Sequence, residues 1–264
     1  MQNAKEERAS ASAVCARVLI ATILSLACAP AFSALTVGAG SSLQYADGAL
    51  DLGCSDLIIA GSAAGGSGNV TGIANVAVAA GGTFAPGATW IALGGDFSDA
   101  GTFAPGTSVI DIVDACGNGT STVSGVTSFY DLLVSTTTGK QLVLPAMLTQ
   151  EVTHALTLQG APGNLLNVLS TSAGQQALLN VSTSAAQSIA YVDARDDKAS
   201  GATIAPGTAV SYHSVDSGDL TNWFVNAVTG SGGGAAPAPT LGRWAALLLA
   251  ALLAAFAWKR SHPS

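Results

Sequence analysis

Basic residues are nearly missing from the middle of this 264-residue chain. Between Leu35 and Phe224, only Lys140, Arg195 and Lys198 stand against 14 acids, a net charge of −11. Such a body repels nucleic acid and anionic polysaccharide by Coulomb energetics, which excludes a nucleic-acid partner. Charged helix formers are scarce too: charged residues make up 9 % of the chain. No stretch of the body keeps a helical period beyond about two turns, so a helical bundle is a poor fit. Cysteine is equally sparse. Cys15 and Cys28 precede the body, and only Cys54 and Cys116 lie within it. His154 and His213 are far from both in sequence, so a metal site lacks ligands.

What the body does have is repetition. Gly82-Thr83-Phe84-Ala85-Pro86-Gly87 recurs as Gly101-Thr102-Phe103-Ala104-Pro105-Gly106, and more loosely as Gly201-Ala202-Thr203-Ile204-Ala205-Pro206-Gly207. Cut at these marks, 69–87, 88–106 and 107–125 form units of equal length, with an offset of about 19 residues. Within them apolar residues alternate as Ile73-Val76-Val78, Trp90-Ile91-Leu93 and Val109-Ile110-Ile112, broken by Gly, Pro, Asn and Asp. Beyond Gly125 the period loosens, but 129–134, 141–144 and 155–158 still read as strands. The expectation is an all-β fold: a right-handed parallel β-helix, or solenoid, over residues 35–225, with a β-sandwich as the alternative. Each coil would bury a column of Val, Ile, Leu and Phe while its neighbours satisfy its backbone hydrogen bonds.

The two ends read differently. Residues 1–34 combine Lys5, Arg8 and Arg17 with an apolar stretch, Val18–Ala29, and small residues offering cleavage after Ala31, Ser33 or Ala34. That is the pattern of a secretory signal peptide with a helical apolar segment, and it implies Sec-type export machinery and signal peptidase. Residues 226–238 form a Gly/Ser/Ala/Pro linker. The tail, 239–264, opens with Pro239, Thr240, Leu241 and Trp244, continues as an uncharged helix over 244–258, and closes on Lys259 and Arg260. Such a helix spans roughly 22 Å, short of a ~30 Å hydrocarbon core. Its terminal tryptophans suit two interfaces, and the basic pair suits a cytoplasmic stop. In an exported chain an even cysteine pair reads as a Cys54–Cys116 disulfide. About three coils separate the two, or ~14 Å in one stacked column. A bridge needs Cα atoms within about 7 Å, so Cys54 is expected on an N-terminal segment folded back along the coils.

Pro239, Thr240, Leu241, Trp244, the apolar run and the basic end together resemble the IPTL-CTERM sorting signal of Gram-negative bacteria, a relative of the PEP-CTERM signals read by exosortases. Ala238 stands where isoleucine is usual, and Ala245 where glycine commonly follows the tryptophan. The resemblance implies transient residence in the inner membrane through the C-terminal helix and recognition by an exosortase-like membrane transpeptidase. It then implies removal of the tail and display at the cell surface or in the extracellular matrix. A plain membrane anchor is the rival reading. The segments 178–182, 191–193 and 216–224, with Asp114-Ala115-Cys116-Gly117, are similar to the closing coils of repetitive bacterial surface β-helix proteins.

Chemistry is thin by comparison. Gly66-Ser67-Gly68 lacks the outer glycines of a nucleophile elbow and reads as a turn. Thr138-Gly139-Lys140 lacks the upstream glycine of a phosphate loop, which leaves Lys140 as a turn residue. His154 alternates outward on a strand as a solvent-facing histidine. Asp96, Asp99, Asp111, Asp114 and Asp131 fall near successive coils, but at a 19-residue period Asp96 projects onto Ala115 and Asp111 onto Tyr130, so no carboxylate row forms. Asp193, Asp196, Asp197, Asp216 and Asp219 match no calcium loop. No catalytic residue, metal site or cofactor is expected. The reading is a non-enzymatic structural or adhesive surface protein, with extracellular polysaccharide as a candidate partner. The alternative is a secreted polysaccharide-active enzyme on the same scaffold.

Overall fold

A computed structural model describes residues 34–45 and 47–225. The expected signal peptide, linker and sorting tail, including Pro239, Thr240, Leu241, Trp244, Lys259 and Arg260, lie outside the described residues. Among those described, the fold is all-β, a parallel solenoid of about 8 turns. A single 3-10 turn, Ala209–Tyr212, interrupts the strands near the end. No helix of the described residues is long and apolar enough to cross a membrane.

Each coil visits three strand faces in turn. The first face runs through Ala34–Val37, 55–59, 73–78, Phe97–Asp99, Thr120–Ser124, Gln141–Leu144, Leu166–Ser170 and Val192–Ala194. On the second lie Ser42–Gln44, Ser62–Ala64, Thr83–Ala85, Thr102–Phe103, 128–129, 149–152, Ala177–Val181 and Asp197–Gly201. The third collects 49–51, 69–71, Trp90–Leu93, Val109–Ile112, 131–134, 155–159 and Ala186–Ala190. Neighbouring coils pair in parallel on every face. A sandwich of antiparallel sheets is overturned. The physical reason is the turn chemistry: each strand ends in a corner that leads to the next face, not in a hairpin.

The GTFAPG units stack as their sequence suggests. Thr83 pairs with Thr102 and Phe84 with Phe103, an offset of 19. Phe84 and Phe103 turn inward with ring centroids 5.6 Å apart. Phe97 sits edge-on to Phe103 at 5.1 Å and to Phe129 at 5.4 Å. In the loose third copy, Ile204 takes the inward place, fully buried. The closing glycines, Gly87 at φ 71° and Gly106 at φ 59°, adopt a left-handed turn that a β-carbon would strain, and they stack on one another.

The third expected unit, 107–125, is not a coil. Val109 pairs with Asp131, an offset of 22, and Phe97 with Val123, an offset of 26. A loop over 113–119 adds the extra residues. Later offsets widen further, to 31 between Ala155 and Ala186. A coil tolerates such growth because the inward register is kept while the corner alone lengthens.

Candidate functional site

Among the described residues, two groups of reactive side chains stand on the early and middle coils. One lies at the corner that leads from the third face to the first. Here Ala49–Ile59 bulges: Asp51 pairs with Thr71 and Ser55 with Ile73, so residues 52–54 stand opposite Gly72 alone. Cys54 is pushed outward at φ 63°. Three coils on, Cys116 tips the 113–119 loop at φ 55°. The two cysteines form a disulfide with Cα atoms 5.3 Å apart. Cys54 is therefore not on a folded-back terminal segment. The bulge and the loop meet over two intervening coils whose corner residues are Gly72, Gly94 and Gly95. A β-carbon at Gly94 would overlap the Ala115 carbonyl, and Cys116 Sγ lies 3.7 Å from the Ile73 carbonyl oxygen.

Two further groups hold this loop. Lys140 is buried, not a surface turn residue, and its Nζ donates to the carbonyls of Gly94 at 2.6 Å and Asn118 at 2.5 Å. Burial pushes its pKa below the ordinary lysine value, while Asp114 and Asp96 pull it back up. Asp114 accepts from the backbone N–H of Thr137 at 2.7 Å and of Thr138 at 3.1 Å. Its own burial works upward, but these bonds and the threonine hydroxyls hold the carboxyl below its usual range. The corner is a structural clamp. Its amine is spent on carbonyls and its sulfurs on each other.

The second place is the outward side of the third face. Alternation turns Ile91, Leu93, Ile110, Ile112, Leu132 and Val134 inward, which leaves Trp90, Asp111 and Asp131 outward. Trp90 pairs with Val109 and Val109 with Asp131, so these three share one column. Asp111 pairs with Leu133, two positions along, which places it diagonal to Asp131 at about 8 Å between Cα atoms. The 19-residue projection onto Tyr130 fails here because the 113–119 loop shifts the register. The Trp90 indole N–H donates to Asp111 Oδ2 at 3.2 Å, and the residue is 39 % exposed. Burial raises the Asp111 carboxyl above its usual range, partly offset by that indole bond. In the following coil His154 faces solvent, as expected. Its Nδ1 lies 2.6 Å from Asp131 Oδ1, and its ring stacks on Tyr130 at 4.4 Å and 9°.

The closing coils carry a further group of acids. Asp197 is fully buried, and Trp223 Nε1 donates to its Oδ1 at 2.7 Å. Burial pushes its pKa up to about 7 despite that bond. Arg195 Nε lies 3.4 Å from Asp196 Oδ2. Asp216 accepts from the Gly218 N–H and Asp219 from Gln176, ordinary turn and surface roles. Among the described residues no group of three or more His, Cys, Asp or Glu could hold a metal. Ser67 bonds through both its N–H and hydroxyl to Asp47 at 2.8 Å, a turn serine and not an activated nucleophile. Near the end of the third face a shallow depression of about 320 Å³ is lined by Gln187, Ile189, Pro206 and Tyr212, without an acid or base.

Sequence reasoning paired the cysteines and placed His154, but it did not single out Trp90 as a surface residue. The available signal was its position two residues before Ala92 on an alternating strand whose other phase is Ile91 and Leu93. No protein-family model, curated protein or solved structure matches this chain.

Proposed function

We propose that this is an exported cell-surface or extracellular-matrix protein with a structural or adhesive role. Its right-handed β-helix would be displayed through a C-terminal sorting signal. The carrying observation is the tail: Pro239, Thr240, Leu241 and Trp244, an apolar run, then Lys259 and Arg260, on a chain that opens with a signal-peptide pattern. Each part has a physical task. The motif is read by a membrane transpeptidase, the apolar helix presents it, and the basic pair fixes its orientation. The Cys54–Cys116 bond adds independent support, because structural disulfides persist in oxidising compartments. The body's acidity and small-residue corners suit a soluble scaffold outside the cell.

Mass spectrometry of both ends of chains recovered from the cell surface tests this. The expected mature chain starts near Ala34 and lacks the apolar tail. Replacing Pro239 and Thr240 with alanine should leave insertion intact while trapping full-length chain in the inner membrane. Surface chains that still carry Trp258 and Lys259 overturn the processing, and the plain anchor then stands.

A second reading, a polysaccharide-active enzyme, draws on Asp111 and Asp131 lying diagonal on one face, one carboxyl raised and the other beside His154. A pair of carboxyl groups facing one another about 5–9.5 Å apart is the machinery of glycoside hydrolysis. Release of reducing ends from a neutral glycan, abolished by Asp111→Asn, would establish it.

A further inference from the structure

We propose that the outward third face, from Trp90 to His154, binds a neutral polysaccharide chain laid along the solenoid axis. This deepens the adhesive reading above by naming the ligand, but the binding itself does not depend on how the tail is processed.

Trp90 is the one large aromatic at an outward position of strands Trp90–Leu93 and Val109–Ile112; its in-register neighbours are Asn69 and Val109, and the residue is 39 % exposed. A partly exposed indole offers a large, rigid amphipathic contact surface. The indole N–H is bonded to Asp111 Oδ2, which orients the ring and satisfies its polar edge. Two and three coils along the axis, at the edge of the same face, Tyr130 and His154 stack on each other and add a second pair of aromatic rings. At ~4.8 Å per coil, Tyr130 lies ~10 Å and His154 ~14 Å from Trp90 along the axis, room for a short run of sugar rings.

Carbohydrate suits this strip better than other partners. The C–H faces of a pyranose ring lie on aromatic rings, and its hydroxyls donate to carboxylates. Asp111 stands in the coil next to Trp90 and Asp131 beside Tyr130, both at outward positions. Both are acceptors, and no basic side chain stands beside them except His154, so an acidic polymer finds repulsion. With a body charge of −11, the field selects neutral chains over anionic ones.

The test is affinity electrophoresis of the full chain in native gels cast with laminarin, galactomannan, dextran or hydroxyethylcellulose, with polygalacturonate as the anionic probe. The expected result is retardation by at least one neutral polymer and none by polygalacturonate. Trp90→Ala should weaken that retardation by about tenfold, Trp90→Phe by less than about threefold, and His154→Ala by an intermediate factor. Circular dichroism and an intact Cys54–Cys116 bond verify that each variant is folded. Retardation by none of the neutral polymers, equal retardation of Trp90→Ala, or equal retardation by polygalacturonate overturns the proposal. A processed chain that binds no probe would sink this inference alone. An unprocessed chain that binds would sink only the sorting reading.

Discussion

Cys54 and Cys116 bond to each other across two intervening coils, with Cα atoms 5.3 Å apart at a separation of 62 residues. A stacked column alone would hold them ~14 Å apart. The difference is made up from both sides: a three-residue bulge reaches up from one coil and a seven-residue loop over 113–119 reaches down from another. Gly72, Gly94 and Gly95 clear the path between. The consequence is mechanical. A solenoid is held together by nearest-neighbour contacts and frays from its ends, whereas this bond ties the first full coils to the middle of the stack directly.

Removing that tie should show as end fraying before global unfolding. The Cys54→Ser, Cys116→Ser double variant is expected to lose roughly 3–4 kcal/mol of stability in urea. Hydrogen exchange should accelerate first over residues 34–78, ahead of the later coils. Alkylation of the natively exported chain should find neither cysteine reactive. A free thiol on that chain would contradict the bond.

Lys140 anchors the same loop from the other side. Its amine donates to Gly94 and Asn118; the Ser121 hydroxyl also donates to Gly94 at 3.2 Å, so Asn118 depends on the lysine more than Gly94 does. Lys140→Ala should cost about 2 kcal/mol, because the Asn118 carbonyl loses its partner and the Gly94 carbonyl its charged one in a buried setting. Exposed Lys198→Ala should fall within about 0.5 kcal/mol of the parent. Equal losses in the two variants, by urea denaturation, would show that the amine is not structural.

The contrast between these residues shows what a sequence reveals and what it hides. The GTFAPG spacing discloses the coil because inward Phe84 and Phe103 must stack, and a stacked pair fixes a period. The disulfide partners are legible by elimination, since the body holds two cysteines. The route between them is not, because it depends on where loops lengthen. Nothing local marks 113–119 as an insertion rather than a third 19-residue unit. Lys140 follows Thr-Gly and looks like a turn, and its burial is set by Gly94, 46 residues away. Trp90 was visible only as an apolar residue on a strand. Which phase of the alternation faces inward was settled by Ile91 and Leu93, which fill the core where an indole would not fit. The sorting tail is the opposite case, legible from its own order of residues without a fold.

The phenylalanine cluster should be the energetic centre of the early coils. Phe97 is fully buried and meets both Phe103 and Phe129 edge-on. Phe97→Ala removes those contacts and leaves a cavity, at a cost of about 4 kcal/mol. Phe97→Leu should recover more than half of it. A loss under about 1 kcal/mol for the alanine variant would mean that the coils collapse freely around the gap.

Asp197 gives the solenoid a pH-dependent closing coil. Its in-register neighbours, Ala177 and Leu220, are not ionisable. The nearest charges along the chain are the Arg195–Asp196 pair and exposed Lys198. Of its two oxygens, Oδ1 accepts from Trp223, while Oδ2 is buried without a hydrogen-bond partner. The folded carboxyl therefore keeps its proton up to about 7, whereas in the unfolded chain it ionises near ~3.9. Between those values the native state holds a proton that the unfolded state has released. Stability from this group is thus full below about pH 4, falls as pH rises toward 7, and levels off above it. Asp197→Asn keeps the carbonyl that Trp223 bonds and removes the charge. It should raise the melting temperature at pH 8 by about 5 °C and change it little at pH 4. Thermal melts of both proteins from pH 4 to 8 decide the matter. Parallel curves across that range would show that Asp197 ionises alike in the folded and unfolded chains.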